Sequence, residues 1–174
     1  MKKTVALVLT FVLLAFAFVG CTKKENDVPD GMKEASNDIV DYDLYVPATW
    51  TVDVSTGMIS AYYSAKDPSN VSMTAFNIDN EVSTIDEYFE RYKQDFESTF
   101  ENFEQKETVD MLLDGIAAKK YTYTGTIGSE DYTFMQVVTI RRSMVYIFTY
   151  TAISENFDLH TEEVELMIEN FKFN

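Results

Sequence analysis

The chain has 174 residues, of which 46% are hydrophobic and 14% aromatic, and its formal net charge is −15. This length corresponds to one ordinary domain with enough apolar material for a sizeable core. So acidic a surface repels polyanions, which excludes nucleic-acid binding and instead favours cations or a basic protein partner.

The N-terminal residues 1–20 have the layout of a secretory signal. Two lysines form a basic start, an almost unbroken apolar run covers residues 5–19, and a glycine precedes the only cysteine, Cys21. This arrangement resembles a bacterial lipoprotein signal peptide. Phe18 departs from that family, which usually has leucine at this position of the lipobox. The resemblance implies a lipid anchor on Cys21 that holds the mature chain at the extracytoplasmic face of the cell membrane.

Two alternatives to lipidation remain open. Ordinary signal peptidase would leave Cys21 as a free thiol. An uncleaved anchor is less favoured, because residues 5–19 are fewer than the ~20 apolar residues that a spanning helix needs. Cleavage before Cys21 would remove two lysines and no acid, so the mature charge would fall from −15 to about −17. No second cysteine is present for a disulfide, so packing must stabilise the domain.

Residues 21–37 are mostly Lys, Glu, Asn, Asp, Pro, Gly and Ser, with little to bury. This composition predicts a disordered tether between Cys21 and a domain that spans residues 38–174. Alternating polar and apolar residues then predict the first strands of the domain. These strands cover residues 42–46, 50–54, 58–65 and 71–78, with Asp67 and Pro68 opening the last turn.

The next segment has the strongest helical pattern in the chain. Thr84 and Glu87 have the spacing of a capping box, which predicts that a helix begins there and continues over residues 85–103. Its apolar stripe is predicted to lie on a sheet, with the acidic side facing solvent; a partner groove or cofactor box is the weaker alternative. The stripe consists of Ile85, Tyr88, Phe89, Tyr92, Phe96, Phe100 and Phe103.

The remainder is predicted to be mostly strand. Strands are expected over residues 107–113, 116–127, 132–140 and 144–153, with a hairpin turn at Asp114-Gly115. The last strand is apolar on both faces, so it should lie in the middle of a sheet that helices cover on both sides. A second amphipathic helix is predicted over residues 159–170, and the dominance of hairpins predicts a mainly antiparallel sheet.

The order of these elements resembles that of the PsbP/Mog1-like domains. The segment Tyr45-Val46-Pro47-Ala48-Thr49-Trp50 is similar to the family's opening motif, and Ile168-Glu169-Asn170-Phe171 is similar to its closing one. The resemblance implies an α+β fold. The implied architecture is an α/β/α sandwich. A mainly antiparallel sheet lies in the middle, with the long helix on one face and the C-terminal helix on the other. It also implies binding or assembly rather than catalysis, and no functional residue of the family can be matched here.

Few residues in the sequence suggest a catalytic or metal-binding role. His160 is the only histidine and is predicted to be a surface or capping residue; a lone general base is the weaker alternative, because no oriented nucleophile marks one. Asp38, Asp41 and Asp43 could offer oxygen ligands to calcium, but they could equally form a solvated edge. We therefore expect no catalytic residue, no cofactor and no metal site.

Three functions are compatible with the sequence. The favoured one is an extracytoplasmic, lipid-anchored binding or assembly module of the bacterial cell envelope, with a basic protein as its possible partner. The first alternative is a cell-envelope hydrolase that uses carboxylates, which would need a desolvated acid pair in a cleft. The second is a calcium-binding surface protein.

Overall fold

The computed structural model describes residues 28–53, 58–78 and 82–174. The signal segment and Cys21 lie outside the described residues. The helices are α1 (Ile85–Thr99) and α2 (Thr161–Asn170), and a short 3-10 helix covers Phe157–Leu159. The strands are β1 (Met32–Glu34), β2 (Tyr42–Asp43), β3 (Tyr45–Pro47), β4 (Thr51–Asp53), β5 (Ile59–Tyr62), β6 (Asn70–Asn77), β7 (Glu101–Leu113), β8 (Ile116–Ile127), β9 (Glu130–Arg141), β10 (Met144–Ile153) and β11 (Lys172–Phe173).

Seven strands form one antiparallel sheet in the order β4-β5-β6-β10-β9-β8-β7. The predicted central position of residues 144–153 is confirmed, because β10 is the middle strand. Its side chains alternate between two hydrophobic clusters, with Tyr146 and Phe148 in one and Val145 and Ile147 in the other. A strand that is apolar on both faces must be covered on both faces, and this requirement places the helices.

Helix α2 covers one face of the sheet. Its buried residues Val164 and Met167 belong to the same cluster as Tyr146, and Trp50, which is fully buried, joins them from the loop before β4. The indole Nε1 of Trp50 donates a hydrogen bond to Glu163 at 3.0 Å, which satisfies the only polar atom of that side chain. The C-terminal helix is therefore tied to the start of the sheet by both packing and a hydrogen bond.

Helix α1 covers the opposite face. The predicted capping box is present, with Thr84 accepting from the Glu87 backbone N–H at 3.1 Å and Glu87 accepting from the Thr84 N–H at 3.1 Å. Phe89 is buried and stacks on Tyr121 of β8, with ring centroids 3.7 Å apart. The chain from residue 28 onward therefore contains a seven-stranded sheet with a hydrophobic core on each face, and so has a complete core of its own.

The prediction that the first helix continues to residue 103 is wrong. Helix α1 ends at Thr99, Phe100 has extended backbone, and Asn102 has a positive φ of 53° that turns the chain into β7. Asn adopts this left-handed conformation more readily than most residues. Phe100 and Phe103 nevertheless join the aromatic cluster under α1. Their sequence spacing continues the helical stripe although the chain has left the helix.

The predicted tether extends too far toward the C-terminus. Strand β1 pairs antiparallel with β3, with Lys33 opposite Val46. Ala35 is buried in the cluster under α2, and its N–H donates to Leu44 at 2.8 Å. The segment contains few apolar residues, but its backbone groups find partners in β3, which composition does not reveal. The folded domain therefore begins before residue 38.

Candidate functional site

A concave groove of about 660 Å³ lies on the face of the sheet that α2 also covers. Its floor is formed by the interior strands β5, β6 and β10, and the segment 37–42 forms one wall. The volume is in the range typical of small-molecule sites. The lining is mainly apolar: Asn37, Ile39, Val40, Asp41, Tyr42, Met58, Ile59, Met73, Thr74, Ala75, Arg142, Met144 and Tyr146.

One end of this groove carries a network of paired polar groups. Asp41 accepts hydrogen bonds from Arg141 at 2.9 Å and from the Tyr146 hydroxyl at 2.7 Å. Arg141 also donates to the Asn174 carbonyl at 2.8 Å and lies over the ring of Phe173, 4.7 Å from its centroid. Burial and the hydrogen bond to Asp41 both raise the pKa of Tyr146, so its hydroxyl stays protonated and keeps donating.

The turn between β9 and β10 forms part of the groove rim in an unusual conformation. Arg142 and Ser143 have positive φ angles of 51° and 63°. Two-residue hairpin loops of this kind favour Asn-Gly or Asp-Gly, as at Asp114-Gly115, because other side chains are strained there. The turn lies between the strands predicted over residues 132–140 and 144–153, as their spacing requires. The sequence pattern that sets it apart is a bulky arginine in a two-residue loop that normally takes small residues.

His160 lies in a second polar cluster, on the loop before α2. The predicted capping position is confirmed, because His160 is the N-cap residue of α2, although its side chain makes no capping hydrogen bond. The alternative of a surface position is wrong, because only 5% of the residue is exposed. Its Nε2 lies 2.9 Å from Oδ2 of Asp67, and its Nδ1 lies 3.2 Å from Oε2 of Glu163. The ring also packs on Tyr63, with centroids 4.1 Å apart, and edge-on against Trp50.

The geometry of this cluster suits a structural role. We call His160, Asp67 and Glu163 the latch, because their contacts hold the β5–β6 loop against α2. Carboxylates face both ring nitrogens of His160, and both contacts are hydrogen bonds only in the doubly protonated ring. Burial alone raises the pKa of Asp67, but hydrogen bonds from Ser69 and His160 outweigh it and lower that pKa to about 2. No ring nitrogen is open toward a substrate, which argues against the general-base interpretation. The cluster instead joins the β5–β6 loop to α2.

The three aspartates considered for calcium do not form a joint site. Asp41 is held by Arg141, and Asp43 is buried, with one oxygen accepting from the Asn174 side chain at 3.3 Å. Within residues 28–53, 58–78 and 82–174, no group of three or more His, Cys, Asp or Glu side chains is placed to hold a metal ion. In the same residues, no helix has both the length and the apolar composition needed to cross a membrane.

No protein-family model matches the sequence, and no curated protein sequence matches it. The solved structures of similar shape include cyanobacterial PsbP from Synechocystis, with a TM-score of 0.61 and 15% identity over 90% of this chain and 99% of that one. The chain has a PsbP/Mog1-like fold. Mog1p, a Ran-binding protein of Saccharomyces cerevisiae, has a TM-score of 0.59 and 8% identity over 82% of this chain and 95% of that one.

A third similar structure is LpqN of Mycobacterium tuberculosis, which is described as involved in cell envelope biogenesis. Its TM-score is 0.53 at 14% identity, over 76% of this chain and 83% of that one. The α+β fold with a mainly antiparallel sheet and a helix on each face is thus confirmed. At these identities the similarity establishes the fold, and function must be argued from the surface of this chain.

Proposed function

We propose that this protein is a non-catalytic binding module of the bacterial cell envelope, anchored at the extracytoplasmic face of the membrane by a lipid on Cys21. The observation that carries the binding role is the groove beside β5, β6 and β10. It is concave and mainly apolar with few polar groups, which is the usual composition of a binding site. The similarity in fold to PsbP, Mog1p and LpqN supports a binding role.

The non-catalytic part of the proposal rests on the arrangement of the polar groups. Asp41 lines the groove and accepts hydrogen bonds from Arg141 and Tyr146, and no second acid lines the groove among the residues that the structure describes. A carboxylate-dependent hydrolase needs two acids placed on either side of the scissile bond. Hydrolysis of a cell-wall or glycoside substrate by the purified protein, abolished by a single carboxylate substitution, would overturn this part of the proposal.

The anchor rests on the Gly20-Cys21 junction after a short apolar segment. Cys21→Ala should abolish incorporation of labelled palmitate and release the protein from the membrane fraction. Unchanged labelling of the variant would refute lipidation at this residue.

A basic envelope protein is the proposed macromolecular partner, because a mature charge of about −17 accelerates encounter with positively charged proteins. The rate at which this partner associates should therefore fall as the salt concentration rises.

A crosslinking experiment tests the groove in the intact, membrane-bound protein. A photo-reactive residue in place of Ala75 lies exposed in the groove, whereas the same residue in place of Glu97 lies exposed on α1, across the sheet. We expect light-dependent adducts at position 75 and markedly fewer at position 97. Equal yields at both positions, or none at position 75, would contradict a binding role for the groove.

A further inference from the structure

The floor of the groove offers an adaptable apolar surface. Three of its side chains are methionines, Met58, Met73 and Met144, and flexible thioether chains can fit ligands of varied outline. At the rim, Ile39 is 92% exposed, which leaves a large apolar side chain in water unless something covers it. These residues define the part of the groove that would contact an apolar ligand.

The polar groups of the groove are already occupied, with one main exception. Asn37 accepts from the Ile39 N–H at 3.0 Å, and Asp41 is held by Arg141 and Tyr146. The guanidinium of Arg142 makes no hydrogen bond or ion pair within residues 28–53, 58–78 and 82–174.

This leaves the guanidinium of Arg142 available to a ligand. Several other cations of the described residues are paired with acids, among them Lys119 with Asp86, Lys120 with Glu165, and Lys172 with Asp114. Arg142 is exposed and sits on the strained β9–β10 turn, whose backbone is held by a bond from the Ile78 N–H to the Ser143 carbonyl at 2.9 Å. Backbone strain that is retained at the rim of a groove is typical of functional sites.

The topology disfavours an extended peptide as the occupant. Peptides that bind sheets usually add to an edge strand, where unpaired backbone groups provide hydrogen bonds. The groove lies over β5, β6 and β10, and each of these strands is paired on both sides. A peptide lying there would therefore leave its own N–H and C=O groups without partners, which is costly. An alkyl chain needs no such partners.

We propose that the groove binds a single-chain anionic amphiphile of the fatty-acid class, with the alkyl chain over the methionine-lined floor and the carboxylate on Arg142. The single guanidinium at the rim matches a headgroup with one negative charge. A planar guanidinium also pairs well with a carboxylate, through two parallel hydrogen bonds. This inference rests on the proposed binding role and specifies its ligand.

The test uses the soluble chain from residue 22, whose described part contains the complete core, titrated with decanoate, dodecanoate and tetradecanoate below their micelle concentrations. Each added methylene should lower Kd about three- to fourfold. Dodecanol, which lacks the charge, should bind about five- to tenfold more weakly than dodecanoate. Kd independent of chain length, or no binding by any of these probes, would overturn the proposal.

Two variants and one matched control test the geometry. Arg142→Gln should weaken dodecanoate about five- to tenfold and leave dodecanol unchanged, whereas Lys93→Gln on α1 makes the same charge change across the sheet and should alter neither. Ala75→Glu places a charge on the exposed floor and should weaken both ligands while unfolding cooperatively. Equal effects of the Arg142 and Lys93 variants would refute the headgroup assignment.

The crosslinking experiment separates this inference from the proposed function. If position 75 crosslinks a protein in cells while no alkyl carboxylate binds the purified chain, the amphiphile is wrong and the binding module stands. If position 75 also fails to crosslink, both proposals fall. Adducts of fatty-acid mass at position 75 would support both.

Discussion

The substitution Gly125→Ala, which adds a methyl group to β8, is the sharpest test of how closely the core beneath α1 is packed. Gly125 is buried beneath Phe100, and a Cβ built on it would lie 2.6 Å from the Cβ and 2.9 Å from the Cγ of Phe100. Real Cβ atoms essentially never approach this closely. Both contacted atoms are near the backbone, so rotating the ring cannot relieve the clash. The turn after α1 or the strand itself must shift.

We therefore expect Gly125→Ala to destabilise the fold. Overpacking of this kind costs about 1–3 kcal/mol, and the contact with an atom close to the backbone favours the upper part of that range. The reduced freedom of the unfolded chain offsets about 0.4–1 kcal/mol, which leaves a net loss of about 1–2 kcal/mol. Urea denaturation of the soluble chain measures this difference directly.

A double-mutant cycle identifies the cause. Phe100→Gly removes both contacted atoms, so Gly125→Ala should cost at least 1 kcal/mol less in that background. Phe100→Ala keeps the Cβ at 2.6 Å and should rescue less than Phe100→Gly does. A Gly125→Ala variant within about 0.5 kcal/mol of the parent, or equal rescue by both Phe100 substitutions, would refute the proposed close approach.

Three further predictions concern the latch, the N-terminal segment and the aromatic stripe. The pKa of Asp67 is lowered from 3.8 to about 2, so its ionised form should contribute about 2 kcal/mol above pH 4 that is lost as the pH falls toward 2. Denaturation of Asp67→Asn should show a correspondingly weaker pH dependence in that window, and parallel curves would contradict it. Deleting residues 28–36 should cost at least about 2 kcal/mol, because it removes the β1 pairing, whereas deleting residues 22–27 should change stability by less than about 0.5 kcal/mol. Equal effects of the two deletions would disprove this. Phe89→Ala should cost about 3–5 kcal/mol and Phe96→Ala clearly less, because Phe89 is buried and Phe96 half-buried; equal losses in thermal or urea unfolding would show that the stripe packs uniformly.

The sequence alone determined the features that depend on neighbouring residues. The capping box of Thr84 and Glu87, the Asp114-Gly115 hairpin and the two apolar faces of residues 144–153 are local patterns, and each predicted its element correctly. The central place of β10 followed from them, because only a strand covered on both sides can be apolar on both. The fold class was accessible from the order of these elements.

The tertiary structure decided what depends on partners far along the chain. Polar residues before residue 38 resemble a tether until β3 supplies backbone partners, and the pattern of Phe96, Phe100 and Phe103 fits either a longer helix or a turn into a strand. The latch around His160 joins it to Asp67, 93 residues away. The groove likewise exists only where interior strands, the segment 37–42 and the strained turn at Arg142 meet. No local sequence pattern encodes these long-range contacts, because they depend on distances in the folded structure rather than on sequence spacing.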